Sequence, residues 1–206
     1  TVRAAEPRME RLPDEFVGVG VDEKLGAPVP MDLTFFNERG EAVRLGDYFA
    51  TGRPVVLNLV YYRCPMSCGL MIQGLLDAAR RMPWTPGDEY EILTISFDPS
   101  ETPTLASAKK GNVVASLGKA GADAGWHFLT GDAGPIERLT DAVGFRYKWI
   151  DELAQYSHPT AIMVLTPDGR VSRYLSGVHY DPHTLRLSLV EAADGAVGSA
   201  MDRATL

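Results

Sequence analysis

Val55-Val56-Leu57-Asn58-Leu59-Val60-Tyr61-Tyr62 is an apolar run of strand length that stops at Arg63-Cys64-Pro65-Met66-Ser67-Cys68. A run this short and this apolar predicts a strand buried on both faces. Directly behind the cysteines, Leu70, Met71, Leu75, Leu76 and Ala79 recur at helical spacing. The chain therefore has to reverse from a buried strand into a helix across the two thiols. That unit belongs to sheets with helices laid over them.

The rest of the chain repeats the pattern. Pro83 to Asp88 breaks the first helix, and Glu91 to Asp98 predicts a second strand. Thr102-Pro103 opens a helical stretch to about Leu117, followed by a strand at Trp126 to Thr130 and a helix at Pro135 to Val143. Phe145 to Ile150 reads as one further strand. Ala161 to Leu165, the turn Thr166-Pro167-Asp168-Gly169 and Arg170 to Leu175 read as a hairpin, and His183 to Ala193 as a closing helix. Nearer the start, Leu33 to Phe36 and Glu41 to Leu45 flank the turn Asn37-Glu38-Arg39-Gly40, a hairpin expected to add to the sheet edge. The expected architecture is an α/β sheet covered on both faces, with residues 31–194 as one domain. Residues 1–30, rich in Pro, Gly and charge, read as an extended lead-in, and 195–206 as a tail.

A formal net charge of −7 over 206 residues argues against a nucleic-acid partner, since a phosphate backbone is repelled by an acidic surface. No stretch approaches the roughly 20 apolar residues that cross a bilayer. The chain begins at Thr1 rather than Met, so an export signal or membrane tether is expected to lie outside this sequence.

The only two cysteines, Cys64 and Cys68, sit four residues apart at one chain reversal. Amide groups left unpaired at a helix start, and the helix dipole, favour thiolate there. Pro65 suits the first helical position, where no N–H is needed. A thiolate is both the nucleophile of disulfide exchange and a soft metal ligand. Residues i and i+4 on a helix hold their Cβ atoms about 5–6 Å apart. A disulfide prefers about 3.5–4.5 Å, whereas a metal bridging two sulfurs at about 2.3 Å each tolerates the wider gap. The spacing leans towards metal and leaves a reversible disulfide open.

Other residues carry weaker signals. His127 lies inside an expected strand and reads as a hydrogen-bonded structural histidine. His179 and His183 flank Asp181-Pro182, an ordinary helix-opening turn that can mimic a metal cluster. Asp98, at the end of a buried strand, is a candidate to orient a ligand or tune the thiols; capping near Thr102 is the alternative. Tyr61 and Tyr62 alternate faces, so one is expected in the core and the other near the cysteines. Met66 reads as an outward side chain at a helix start. A peroxidase reading fails for want of Thr three residues before Cys64.

Taken in order, Val55 to Cys68 with its Cys64-Pro65-Met66-Ser67-Cys68, Ser96-Phe97-Asp98-Pro99-Ser100-Glu101-Thr102-Pro103, Trp126-His127-Phe128-Leu129-Thr130-Gly131 and Tyr156-Ser157-His158 resemble the SCO/SenC family over roughly residues 28–195. The resemblance implies a thioredoxin-like fold: a central mixed sheet flanked by helices, with an added N-terminal β-hairpin. It implies copper as cofactor, with Cys64, Cys68 and His158 as ligands and a redox-active disulfide couple between Cys64 and Cys68. It further implies a metallochaperone rather than a turnover enzyme. Its expected partners are the copper-bearing subunit of cytochrome c oxidase, a copper donor protein and a thiol reductant, and its expected place is the periplasm, tethered to the membrane. Two features depart from the family pattern. Gly69 stands where a proline is common, and His158-Pro159-Thr160 resembles the cis-Pro–Thr segment of thioredoxins. The second feature favours the alternative reading, a thiol–disulfide oxidoreductase acting on an exported or oxidase-subunit protein.

Overall fold

The computed structural model describes residues 17–64 and 67–198. The expectations for residues 1–16, Pro65, Met66 and 199–206 lie outside the described residues. In chain order the elements are β1 (Gly20–Val21), β2 (Thr34–Phe36), β3 (Ala42–Arg44), β4 (Val55–Val60), α1 (Ser67–Arg81), β5 (Glu91–Ser96), α2 (Pro103–Leu117), β6 (Trp126–Leu129), α3 (Ala133–Ala142), β7 (Phe145–Arg146), β8 (Lys148–Ile150), β9 (Gln155–Ser157), β10 (Ala161–Leu165), β11 (Val171–Ser176) and α4 (Pro182–Ala193). Among them, no helix is long and apolar enough to cross a membrane.

Five strands form a mixed sheet in the order β11-β10-β4-β5-β6. The pairs β4–β5 and β5–β6 are parallel, while β10 runs antiparallel to both β4 and β11. Every residue of β4, β5 and β10 is buried, as expected of strands covered on both faces, polar Asn58, Glu91, Thr94 and Ser96 included. The α/β expectation holds. Helix α1 packs against α2 and α4, α4 covers β10 and β11, and α2 lies on β6.

Local chemistry sets the helix ends. The Thr102 hydroxyl accepts from the Leu105 amide, Pro103 occupies the first turn, and Gly118 closes α2 in a left-handed conformation at φ 67°. Asp181 caps α4 in the same way, so Asp181-Pro182-His183 is the helix-opening turn that the sequence suggests. At the far end of α1, the Lys119 ammonium donates to the carbonyls of Ala79, Met82 and Trp84 at 2.6–2.8 Å. A cation there complements the carbonyls left open where a helix stops.

Three expectations need correction. The run Phe145 to Ile150 is not one strand of the main sheet. It splits at Tyr147, and β7 pairs with β1 while β8 pairs with β9. Only Phe145 in this run is buried, whereas the central strands bury every residue. Partial exposure along the run suits a two-stranded ribbon, not a sheet interior. Second, among the described residues the first hairpin meets the sheet edge through one bridge, Phe36 with Thr130: the Phe36 amide donates to the Thr130 carbonyl at 2.7 Å and the Thr130 amide returns a bond at 2.9 Å. Third, the described part of the lead-in is fastened to the domain. Gly26 and Val29 donate backbone bonds to Val171 and Gly169, and Val29 is buried in the core.

Candidate metal centre

The site begins where β4 ends. Glu101, buried between strand ends, accepts from the Tyr62 amide at 2.6 Å, the Arg63 amide at 2.7 Å and the Ser96 hydroxyl at 2.6 Å. The Tyr62 hydroxyl sits 2.9 Å from the Thr94 carbonyl and 2.8 Å from that of Leu129, which anchors the same turn across the sheet. The Cys64 amide then donates to the Tyr61 carbonyl at 3.2 Å, and the chain enters α1.

Cys68, in the first turn of α1, is 1 % exposed, while Cys64 is half-buried. The Cys68 amide donates to the Cys64 Sγ at 3.5 Å, and the Tyr61 amide donates to the Cys68 Sγ at 3.4 Å. His158 arrives from the end of β9. Its Nε2 lies 3.2 Å from the Cys68 Sγ, across 90 residues of sequence. Its Nδ1 lies 2.9 Å from the Pro159 carbonyl, which selects the tautomer that leaves a lone pair on Nε2. Among the described residues, this trio is the group able to hold a metal ion, with all three ligating atoms within 4.8 Å of one another. Two sulfurs and an imidazole nitrogen make a soft, low-coordinate donor set.

Aromatic rings wall in the histidine. Phe97, Tyr61 and Phe145 lie 5.3, 5.9 and 6.4 Å from it, centroid to centroid. Tyr147 lies tilted against Phe97 at 4.5 Å, and Tyr156 meets Tyr61 edge-on at 5.4 Å. The two tyrosines just past β4 divide as expected: the Tyr61 amide meets the Cys68 sulfur, and the Tyr62 hydroxyl reaches the Thr94 and Leu129 carbonyls.

Burial pushes the Cys68 thiol well above the ordinary thiol range, with the neighbouring Cys64 adding to the effect and the Tyr61 amide opposing it. The field of the helix start is thus outweighed at this residue, a correction to the thiolate expectation. Cys68 keeps its proton until a metal cation takes the proton's place. The same burial has a consequence for stability. Above about pH 8.5 the unfolded chain releases this proton and the folded chain does not. Fewer protons bound in the unfolded state means that stability falls as pH rises, by about 1.4 kcal/mol per pH unit for this one group. Urea denaturation of metal-free, reduced protein between pH 7 and 10 is expected to show that decline; a flat profile contradicts the buried thiol.

The other candidates resolve differently. His127 lies 3.4 Å from the buried Glu91, and its ring meets that of Tyr48 at a tilt, 4.5 Å between centroids. His179 and His183 join no metal-ligating group among the described residues. The Asp98 Oδ1 accepts from the Ser100 amide at 2.9 Å, which ties it to the turn leading to α2. No peptide bond among the described residues is cis, so the likeness of Pro159-Thr160 to a cis-Pro segment does not extend to its geometry. Sequence reasoning missed Glu101 as the clamp of the cysteine turn, and missed Phe97, Phe145, Tyr147 and Tyr156 as the wall around His158. The one available signal was an acidic residue in a stretch otherwise bound for a strand–helix junction.

The SCO1/SenC family model matches residues 21–193. No curated protein sequence matches the chain significantly. Among solved structures, a candidate electron transfer protein from Aquifex aeolicus VF5 is similar at 26 % identity and TM-score 0.73, over 84 % of this chain and 96 % of that one. Arabidopsis thaliana ScoI, solved with copper bound, is similar at 16 % identity and TM-score 0.64, over 84 % of this chain and 99 % of that one. BsSco, a member of the Sco family of cytochrome c oxidase assembly proteins in which a disulfide switch was identified, is similar at 22 % identity and TM-score 0.56, over 82 % and 96 %. The two likenesses under 25 % speak for the thioredoxin-like Sco fold alone; the family match spans most of the domain, so the chain belongs to the SCO1/SenC family.

Proposed function

We propose that the protein carries copper as cargo between Cys64, Cys68 and His158 and delivers it to the copper-bearing subunit of cytochrome c oxidase. The observation that carries this reading is the convergence of two sulfurs and one imidazole nitrogen, from distant parts of the chain, to within 4.8 Å. A soft thiolate pair suits copper(I), and the added imidazole makes copper(II) acceptable as well. Copper bound to Arabidopsis ScoI and the membership of BsSco among oxidase assembly proteins support the same reading.

Burial assigns the roles. Cys68, fully buried and hydrogen-bonded by the Tyr61 amide, is the fixed anchor. Cys64 and His158 are half-buried and form the open side, where a donor or acceptor protein exchanges ligands. We infer that such exchange takes place beside an oxidase centre on the outer face of a bacterial membrane, in the periplasm and tethered, with a thiol reductant keeping the pair ready.

Anaerobic titration of the reduced protein with copper(I) tests the proposal. One equivalent is expected to bind, and both thiols are expected to become inaccessible to a thiol reagent together. Thiols that stay equally reactive in the presence of copper(I) overturn it.

A second reading rests on the same two residues. The two sulfurs lie within 4.8 Å of one another, so a reversible disulfide needs a shift of the turn that closes this gap. The protein would then act as a thiol–disulfide oxidoreductase, as the disulfide switch of BsSco suggests. Copper-free reduction of a partner-derived disulfide peptide, at a rate unaffected by His158→Ala, would favour it.

A further inference from the structure

A cleft of about 540 Å³ opens between the turn that carries Cys64 and the tip of the β8–β9 ribbon. Tyr61 and Arg63 line it from the turn, Trp149, Leu153 and Tyr156 from the ribbon, and Asp98 from the end of the loop after β5. Both walls lead to metal ligands: Cys64 follows Arg63 directly, and His158 stands two residues after Tyr156. An occupant of the cleft is therefore held beside the open side of the centre.

The walls are aromatic. Trp149 and Tyr156 meet edge-on with ring centroids 5.0 Å apart, and Tyr156 meets Tyr61 likewise at 5.4 Å. Trp149 is 48 % exposed and Leu153 53 %. The indole N–H already donates to Asp151 at 3.0 Å, so what Trp149 offers an occupant is its ring. Asp98 is only 8 % exposed. Its Oδ1 accepts from the Ser100 amide at 2.9 Å, while its Oδ2 has no hydrogen-bond partner and its carboxylate no ion pair among the described residues. A carboxylate taken out of water without a counter-charge attracts a cation strongly, because little screens it. The faces of Trp and Tyr attract cations as well. Arg63 opposes this less than its charge suggests: it is exposed and donates to the Ser100 hydroxyl at 3.4 Å, so water and salt screen it.

We propose that this cleft docks a basic segment of the protein that exchanges copper at the site: a lysine or arginine side chain of that partner enters along the Trp149 and Tyr156 rings and pairs with the Asp98 Oδ2. The inference deepens the copper reading above, from which it takes the existence of an exchange partner. Charge favours this occupant over a second copy of the chain, because two copies of net charge −7 repel one another while a basic surface is drawn in. Docking is separate from ligation, since neither Asp98 nor Trp149 belongs to the metal-ligating trio.

Blocked pentapeptides carrying arginine, lysine, glutamine or glutamate at the centre of a glycine chain serve as probes. Titration of the reduced, metal-free full chain, followed by nuclear magnetic resonance at the Trp149 indole, reads their binding. The arginine and lysine peptides are expected to bind about tenfold more tightly than the glutamine peptide, and the glutamate peptide most weakly. Asp98→Asn keeps an acceptor for the Ser100 amide and removes the charge. It is expected to erase the tenfold preference while binding one copper(I), as the wild type does. Trp149→Ala, at an exposed position, is expected to weaken the basic peptides about threefold. A wild type without preference for the basic peptides overturns the proposal, and so does an undiminished preference in Asp98→Asn. Putrescine binding as tightly as the basic peptides makes the cleft a small-cation site and overturns the docking role. A wild-type dimer that Asp98→Asn dissolves gives the cleft to a second copy and overturns it too. If Asp98→Asn does not fold, Trp149→Ala decides, and unchanged affinity for the basic peptides there sinks the inference. A wild type that takes up no copper(I) sinks the copper reading, whereas loss of the peptide preference alone sinks only the docking role.

Discussion

Reduced protein carrying Cys68→Ser is expected to lose copper(I) binding, with an affinity at least about a hundredfold below wild type. Loss of an outer hydrogen-bonding partner alone costs about 10–100-fold at metal sites, so loss of a ligand sets that range as a floor. Cys68 is the most exposed to this argument because its sulfur is the most tightly placed, held 3.4 Å from the Tyr61 amide and 3.2 Å from the His158 Nε2. A serine oxygen there is hard where copper(I) prefers soft donors. Cys64→Ser is expected to be nearly as severe, since one thiolate and one imidazole do not make a thiolate pair. His158→Ala should act differently. It leaves both sulfurs, so copper(I) is weakened less, while copper(II) loses its nitrogen donor and its spectrum changes. Competition against a copper(I) chelator, with absorption spectroscopy of the copper(II) forms, separates the three variants. Wild-type stoichiometry and affinity in either cysteine variant would remove the copper site from this protein.

The legible part of this molecule was its local part. The run Val55 to Tyr62, the thiols behind it and the helical spacing after them lie within one stretch of chain, where period and composition act directly. The strands and helices of the main sheet were readable for the same reason. His158 was different. Nothing in Tyr156-Ser157-His158 marks a ligand, and only the ordered likeness to a family placed it opposite the cysteines, 90 residues away. The ribbon strands were missed because they are two or three residues long and pair with each other rather than with the main sheet. A pattern that short carries no period. The aromatic wall was illegible for a further reason: Phe97, the pair Phe145 and Tyr147, and Tyr156 come from three separate segments, and only the fold sets their rings 4.5–6.1 Å apart.

Glu101 is the sharpest case of a residue whose role depends on the fold, and its substitution carries the largest expected cost in stability. In sequence it is one acid in Asp98-Pro99-Ser100-Glu101. In the structure it is 5 % exposed and accepts three hydrogen bonds of 2.6–2.7 Å, two of them from amides of the turn that delivers Cys64. Glu101→Ala leaves the buried Tyr62 amide without its acceptor and the Ser96 hydroxyl with only the Asp98 carbonyl at 3.4 Å, at about 1–3 kcal/mol for each poorly satisfied group. The Arg63 amide, nearer the surface, can recover part of its loss from water. A total of about 3 kcal/mol follows, which for a domain of this size lowers the melting temperature by roughly 6–12 °C. Glu101→Gln should fall between the two, because one oxygen still serves Tyr62 and Ser96 while its amide group faces the Arg63 N–H. Both variants should also bind copper(I) more weakly while folded, since the turn that aims Cys64 has lost its clamp. Urea and thermal denaturation of the metal-free proteins measure the first effect, and chelator competition well below the melting temperature measures the second. A Glu101→Ala protein as stable as the wild type, with copper(I) affinity intact, would show that the Cys64 turn holds its shape without the carboxylate.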